Sequence, residues 1–205
     1  MCIRDSKKLR LSRPQQLMAA EREIIEEAYA GDIIGVFDPG IFSIGDTLCA
    51  PGKKFRFDPI PTFAPEHFKR VRSLDTMKRK QFLKGMEQIA QEGAIQIFKT
   101  PYTGMEEVIV GVVGTLQFDV LEYRLKNEYN VELYMEGLPY EYLRWIETDD
   151  GEPVKEEDLI LGTDVKLVED YKGNQLLLFG SQWAIGWTEE RNKNLTFHEF
   201  GGTKF

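Results

Sequence analysis

Residues 76–135 carry a sequence of hydrophobic periods that few folds accommodate. Phe82, Leu83, Met86, Ile89 and Ala90 share one arc at helical spacing in a helix predicted over 76–92. Asp75 or Thr76 can cap its start, and Gly93 stands where a left-handed stop belongs. "AIQIF" (94–98) then alternates as a strand, and "EVIVGVVG" (107–114) is a second strand, apolar enough to be central. Thr115 can cap a second helix with Phe118, Leu121, Leu125 and Tyr129 on one face and an i,i+4 pair, Glu122 and Lys126, on the outer side. "VELYM" (131–135) is the next strand. With a strand ahead of the first helix, strand, helix, strand, strand, helix, strand is the ferredoxin-like split βαβ order.

That leading strand follows "PIPTFAPEHF" (59–68), whose three prolines read as a linker running into an edge strand and as the domain boundary. Before it, "AGDIIGVF" (30–37) and "FSIGDTLCAPGKKFRF" (42–57) are short apolar runs, with Pro39, Gly40, Gly45, Pro51 and Gly52 at hairpin-like spacing. "LMAAEREIIEEAY" (17–29) has helical propensity but sits among strand signals. The stretch reads as part of a small barrel whose remaining strands are expected upstream of residue 1. The expected domains are therefore a leader at 1–8 that is non-native or disordered, a partial barrel at 9–60, and an α+β domain at 61–205 with a C-terminal extension. The extension holds strands at 140–147, 164–169 and 175–180, an acidic loop at 147–158, a turn at "DYKGNQ" and a tail ending near Phe200. No internal repeat is visible.

Little in the chain is chemically reactive. No run of eighteen apolar residues exists, and "MCIRDSKKLRL" lacks the apolar core of a secretory signal. Cys2 and Cys49 read as reduced thiols of a cytosolic protein. His67 and His198 lie far apart, with no second ligand at zinc spacing. Asp149 and Asp150 are paired carboxylates, but Gly151, Pro153 and a run of acids make a solvated turn the better reading. There is no G-x-x-x-x-G-K-[ST] loop; "APGKK" (50–54) lacks the upstream glycine, and the D-x-x-G matches at Asp32–Gly35 and Asp170–Gly173 read as turns. No G-x-S-x-G elbow is present. No catalytic, nucleotide-binding or metal residue is assigned, and the chain is expected to be inactive alone.

The charge is uneven. The net charge is -8, and residues 131–205 hold 7 basic and 16 acidic side chains, so the acidity belongs to the last third. Against that, residues 68–85 concentrate Lys69, Arg70, Arg72, Lys78, Arg79, Lys80 and Lys84 around Asp75 alone. Lys78, Arg79 and Lys80 fall in the first predicted turn of a helix, at the positive pole of its macrodipole, where each cation costs a few tenths of a kcal/mol. Lys80 and Lys84 repel mildly at i,i+4. A polyanion such as a phosphate backbone would compensate from outside. A solubilising patch and pairing with the acidic third remain open. The seven cations are the candidate RNA contacts.

"QLMAAEREIIEEAYAGDIIGVFDPGIFSIGDTL" (16–48) resembles the second-domain barrel of translational GTPases of the elongation factor G type, and "GVVGTLQFDVLEYRLKNEYNVE" (111–132) resembles the domain that follows it. "KKFRFDPIPTFAPEHFKRVRSLDTMKRKQFLKGMEQIAQEGAIQIF" (53–98) is similar, more specifically, to the class II bacterial release factors. The likeness runs from about residue 9 to about residue 200. It implies a C-terminal portion without the GTPase domain, acting in translation termination in the cytoplasm. In the family, GTP and Mg²⁺ belong to that GTPase domain; the partners are the ribosome, through RNA and protein, and the class I release factors whose dissociation the protein promotes. Two other readings are a fragment of another translational GTPase, of elongation factor G or ribosome-protection type, and a free-standing RNA-binding module.

Overall fold

The structure is a computed structural model. It describes residues 14–16, 24–37, 42, 44–50, 55, 57, 60, 62–100, 108–149 and 151–200, with the backbone alone of 2–3, 7–8, 17–18 and 21–23. The chain divides into two compact units, Met1–Ile60 and Pro61–Phe205.

In the first unit β1 (Cys2–Ile3) pairs antiparallel with β2 (Lys7–Lys8), and β3 (Gln15–Met18) with β4 (Glu21–Ile24). Strand therefore wins over helical propensity at 17–18 and 21–24. Gln15 also bridges to Gly35. Gly31 and Gly45 have positive φ, as turns require. Asp32 Oδ2 accepts from the Tyr29 amide at 2.7 Å and the Asp32 amide donates to the Tyr29 carbonyl at 3.0 Å, so the turn is Tyr29–Asp32 and Asp32–Gly35 follows it. These pairings do not close a barrel. Ile33 and Phe37 are 86% and 70% exposed, and no described residue of this unit belongs to the buried core. Pro39, Gly40, Pro51, Gly52 and the side chains of the leader lie outside the described residues.

The second unit is one eight-stranded antiparallel sheet with three helices. Its strands are β5 (His67–Ser73), β6 (Gln96–Lys99), β7 (Val108–Val112), β8 (Leu133–Gly137), β9 (Tyr142–Thr148), β10 (Val165–Asp170), β11 (Gln175–Phe179) and β12 (Leu195–His198). Helix α1 (Arg79–Gln91) joins β5 to β6, α2 (Leu116–Tyr129) joins β7 to β8, and α3 (Gln182–Arg191) joins β11 to β12. The order across the sheet is β12-β9-β11-β10-β6-β7-β5-β8.

Three expectations need correction. The proline segment does not feed an edge strand: β5 lies between β7 and β8. Pro65, the described proline of the segment, holds no ladder position: it precedes β5 and lies against Gly111 of β7, where a Cβ would come within 2.6 Å of its ring. The tail read after 180 is folded as α3 and β12. Ser181 caps α3 by accepting from the Ala184 amide at 3.3 Å. Ala184, Ile185 and Thr188 face the sheet, a stripe too short and too mixed to be heard against Gly186 and two tryptophans. Thr115, too, makes no side-chain cap; Gln117 Oε1 instead accepts from the Val113 and Gly114 amides at 3.0 and 2.9 Å.

The strands β5–β8 lie in the order β8-β5-β7-β6, and β9–β12 lie in the order β12-β9-β11-β10. Numbered along the chain, both are 4-1-3-2. The extension is thus a second module of the same strand order, joined to the first where β6 pairs β10. The repetition is invisible in the sequence because the first crossover of the second module is not a helix. It is an irregular segment with one 3-10 turn, Glu156–Asp158.

The sheet is strongly bent. Six strand spacings between β9 and β8 would separate them by ~29 Å in a flat sheet, yet only Leu138–Glu141 connect them, a reach of at most ~18 Å. One face carries Val71 and Val110 under Ile89 of α1 and Leu121 of α2 in the first module, and Leu167 and Leu177 under Ile185 of α3 in the second. The other face folds on itself, bringing Phe68, Phe98 and Ile109 of the first module together with Leu143, Val168 and Leu178 of the second. Burial on both faces is why "VIVGV" and "QLLLF" read as continuous apolar runs.

Candidate nucleic-acid interface

The basic run spans a strand, a turn and a helix, and the structure divides it. Along β5 successive side chains point to opposite faces. Lys69 shares the helix-covered face with Val71, and its Nζ lies 4.4 Å from the centre of the Phe118 ring. Arg70 and Arg72 point to the other face, each opposite a β8 residue that engages it. Arg70 Nη1 donates to Glu136 Oε2 at 3.0 Å, and the Arg72 guanidinium sits 4.6 Å from the Tyr134 ring centre. These three cations have partners inside the protein.

The turn after β5 is set by short polar side chains. Ser73 Oγ donates to the Asp75 carbonyl at 2.8 Å, and Asp75 Oδ1 accepts from the Met77 amide at 2.9 Å. Asp75 thus caps a 3-10 turn, Thr76–Lys78, which runs into α1. Helix α1 itself has Lys78 at its N-cap, no capping side chain and no acid in its first turn. Its buried face is Phe82, Gly85, Met86, Ile89 and Ala90. Lys80 and Lys84 stand exposed, one turn apart, and form no ion pair with any described residue. Arg79 is exposed beside them and is engaged within the protein. The structure therefore brings Lys80 and Lys84 together on the outside of α1 and places Arg70 and Arg72 on the opposite side of the sheet.

Helix α1 is locked to α2 by charge. Arg124 forks onto Glu128, with Nε and Nη2 donating at 2.8 and 2.9 Å, and pairs with Glu92 at the end of α1. Hydrogen bonds from Arg124 hold the carboxyls of Glu92 and Glu128 below their ordinary value, and both carboxylates hold Arg124 above its own. The expected Glu122–Lys126 pair is replaced by Lys126 with Glu132 at 3.5 Å. Tyr129 donates to Gln88 at 2.7 Å, while burial raises its phenol.

The other sequence candidates are dispersed. His67 is exposed in a cleft of about 620 Å³, where Arg144 is already paired with Glu199 at 2.9 Å. His198 Nε2 lies 3.4 Å from Glu147 Oε2 on the far edge of the sheet. Asp149 is exposed, and Asp150 lies outside the described residues. Asp170–Gly173 is a turn, with Asp170 Oδ1 accepting from the Lys172 and Asn174 amides. Cys49 is half-buried and in no disulfide among the described residues. Among the described residues no group of three or more His, Cys, Asp or Glu is placed to hold a metal ion, and no helix is long and apolar enough to cross a membrane. GTP and Mg²⁺, which the resemblance implies, find no fitting residues in these 205: the phosphate loop is lacking from the sequence.

With a bent α/β sheet unit bearing a cationic helix face, and a first unit whose residues 1–51 match the family model "Elongation factor G domain 2", the chain falls in the class of translation-factor proteins. Residues 57–189 match the model "Class II release factor RF3, C-terminal domain", and the chain belongs to that family. Similar curated proteins are the peptide chain release factor 3 of Symbiobacterium thermophilum, 50% identical over 195 residues, that of Gloeobacter violaceus, 44% identical over 196, and that of Listeria monocytogenes, 43% identical over 192. These alignments cover 95%, 96% and 94% of this chain but only 36%, 36% and 35% of the relatives, so the chain spans about a third of their length.

Proposed function

We propose that the chain acts in translation termination as the ribosome-docking part of a class II release factor, helping to release and recycle class I release factors in the cytoplasm. The family match over 57–189 carries this reading. Residues 1–8 are read as a leader, 9–60 as part of a translation-factor barrel, and 61–205 as a release-factor α+β domain whose first module is ferredoxin-like. GTP hydrolysis, with Mg²⁺, is assigned to a GTPase domain outside these 205 residues. That domain, the ribosome and the class I factors are the partners.

Contact with ribosomal RNA is assigned to the basic run, with Lys80 and Lys84 foremost. The exposed pair on α1 has no partner among the described residues, whereas Lys69, Arg70 and Arg72 do. The test is co-sedimentation of the chain with purified ribosomes. Binding that weakens in a Lys80→Glu, Lys84→Glu double variant supports the assignment, and unchanged binding sinks it.

A further inference from the structure

The two modules differ in one layer. In the first, α1 and α2 pack side by side, with Gly85 of α1 against Leu125 and Tyr129 of α2. In the second, α3 takes the place of α2, and an irregular crossover replaces α1. Val154, Leu159 and Leu161 of that crossover pack with Ala184 and Ile185 of α3 on the sheet, so the place of α1 is filled. The buried residues of α3 are Ala184, Ile185 and Thr188. Trp183, Trp187 and Arg191 form a separate stripe, each four residues from the next and so one turn apart.

On α3 the stripe is a preformed ridge. Trp183 is 72% exposed. Its ring lies 6.4 Å from that of Trp187, and the Arg191 guanidinium sits 4.0 Å from the Trp187 ring centre. A Cβ built on Gly186 between them would meet nothing within 4 Å. Trp and Arg are the side chains most enriched at binding hot spots, and stacking fixes their rotamers before a partner arrives.

The surroundings are acidic. Glu189 and Glu190 are exposed on α3. The Glu156–Asp158 turn, also exposed, belongs to a crossover tied to the end of α3, where Asn192 Oδ1 accepts from the Ile160 amide at 2.9 Å. Five carboxylates against Arg191, Lys193 and Lys155, which lies 3.8 Å from Glu157, leave a net negative surface that repels a phosphate backbone and attracts cations. We propose that the Trp183–Trp187–Arg191 ridge docks a lysine- or arginine-rich amphipathic helix of another polypeptide on the exposed side of α3. This inference is independent of the RNA contact assigned to Lys80 and Lys84.

The probe is a labelled amphipathic peptide of leucine and lysine, about 18 residues or five helical turns long, titrated with the full chain and followed by anisotropy. The expected result is saturable binding that weakens about tenfold in Trp183→Ala and also weakens in Glu189→Lys, Glu190→Lys. It persists in Lys80→Glu, Lys84→Glu. Trp183 is exposed, so far-UV circular dichroism of its variant should match the parent. Equal binding of a leucine–glutamate peptide, unchanged binding in Trp183→Ala, or stronger binding of oligouridylate would overturn the proposal. So would a concentration-dependent dimer of the chain that Trp183→Ala abolishes.

Discussion

Gly85 of α1 lies against Leu125 of α2 so closely that a Cβ at residue 85 would overlap the leucine side chain and come within 3.0 Å of the Tyr129 ring. Leu125 is fully buried and has nowhere to retreat. Gly85→Ala gains up to ~1 kcal/mol of helix propensity but incurs overpacking of about 1–3 kcal/mol. A net loss of about 1 kcal/mol is expected in urea unfolding. Gly186 of α3 is the control, because its Cβ would meet open space; Gly186→Ala should stabilise by up to about 1 kcal/mol. Equal signs for the two substitutions would contradict the helix-packing account.

Asn192 is 3% exposed and joins three backbone groups. Its side chain donates to the Ile160 and Thr188 carbonyls at 3.0 and 2.8 Å and accepts from the Ile160 amide. Asn192→Ala leaves those groups without that partner and should cost about 2–3 kcal/mol. Amide exchange at Ile160 should accelerate more than exchange in β7.

The Arg124 fork predicts a stability limb on the acid side. The folded-state carboxyls of Glu92 and Glu128 lie below 4.5, their ordinary value. Their contribution is therefore present above that pH and lost as pH falls through the folded values. Thermal unfolding of Arg124→Met should converge with the parent as pH drops below about 4.5 and diverge from it at neutral pH. A constant difference across that range would contradict the assignment.

No described residue of the first sixty enters the buried core, while Pro61–Phe205 holds all three hydrophobic clusters. A chain of residues 61–205 should keep the cooperative transition of the whole. Residues 1–60 alone should unfold without one and bind a hydrophobic dye. Loss of the transition in 61–205 would show that the first unit supports the second.

The first module was legible because its signals agree. The Phe82–Ile89 arc, the Asp75 cap, the Gly93 stop at φ 75° and the all-apolar β7 each point the same way. The second module was half-legible: its strands could be read, but its crossover has no period and α3 carries glycine and tryptophan where a helix face is expected. The bend could not be read at all, since it follows from pairing β6 with β10, a contact between residues some seventy apart. The basic run was legible as a cluster, not as a geometry. Strand alternation sends Arg70 and Arg72 away from Lys80 and Lys84, and linear spacing across the turn at Asp75 does not reveal that.

Lys80 and Lys84 therefore test the central claim most directly. Association of the chain with purified ribosomes, measured across a salt series, should weaken in Lys80→Glu, Lys84→Glu. The slope of log K against log salt should become shallower by about two, one for each phosphate that is no longer neutralised. An unchanged affinity and slope would contradict the assignment of this helix face to RNA.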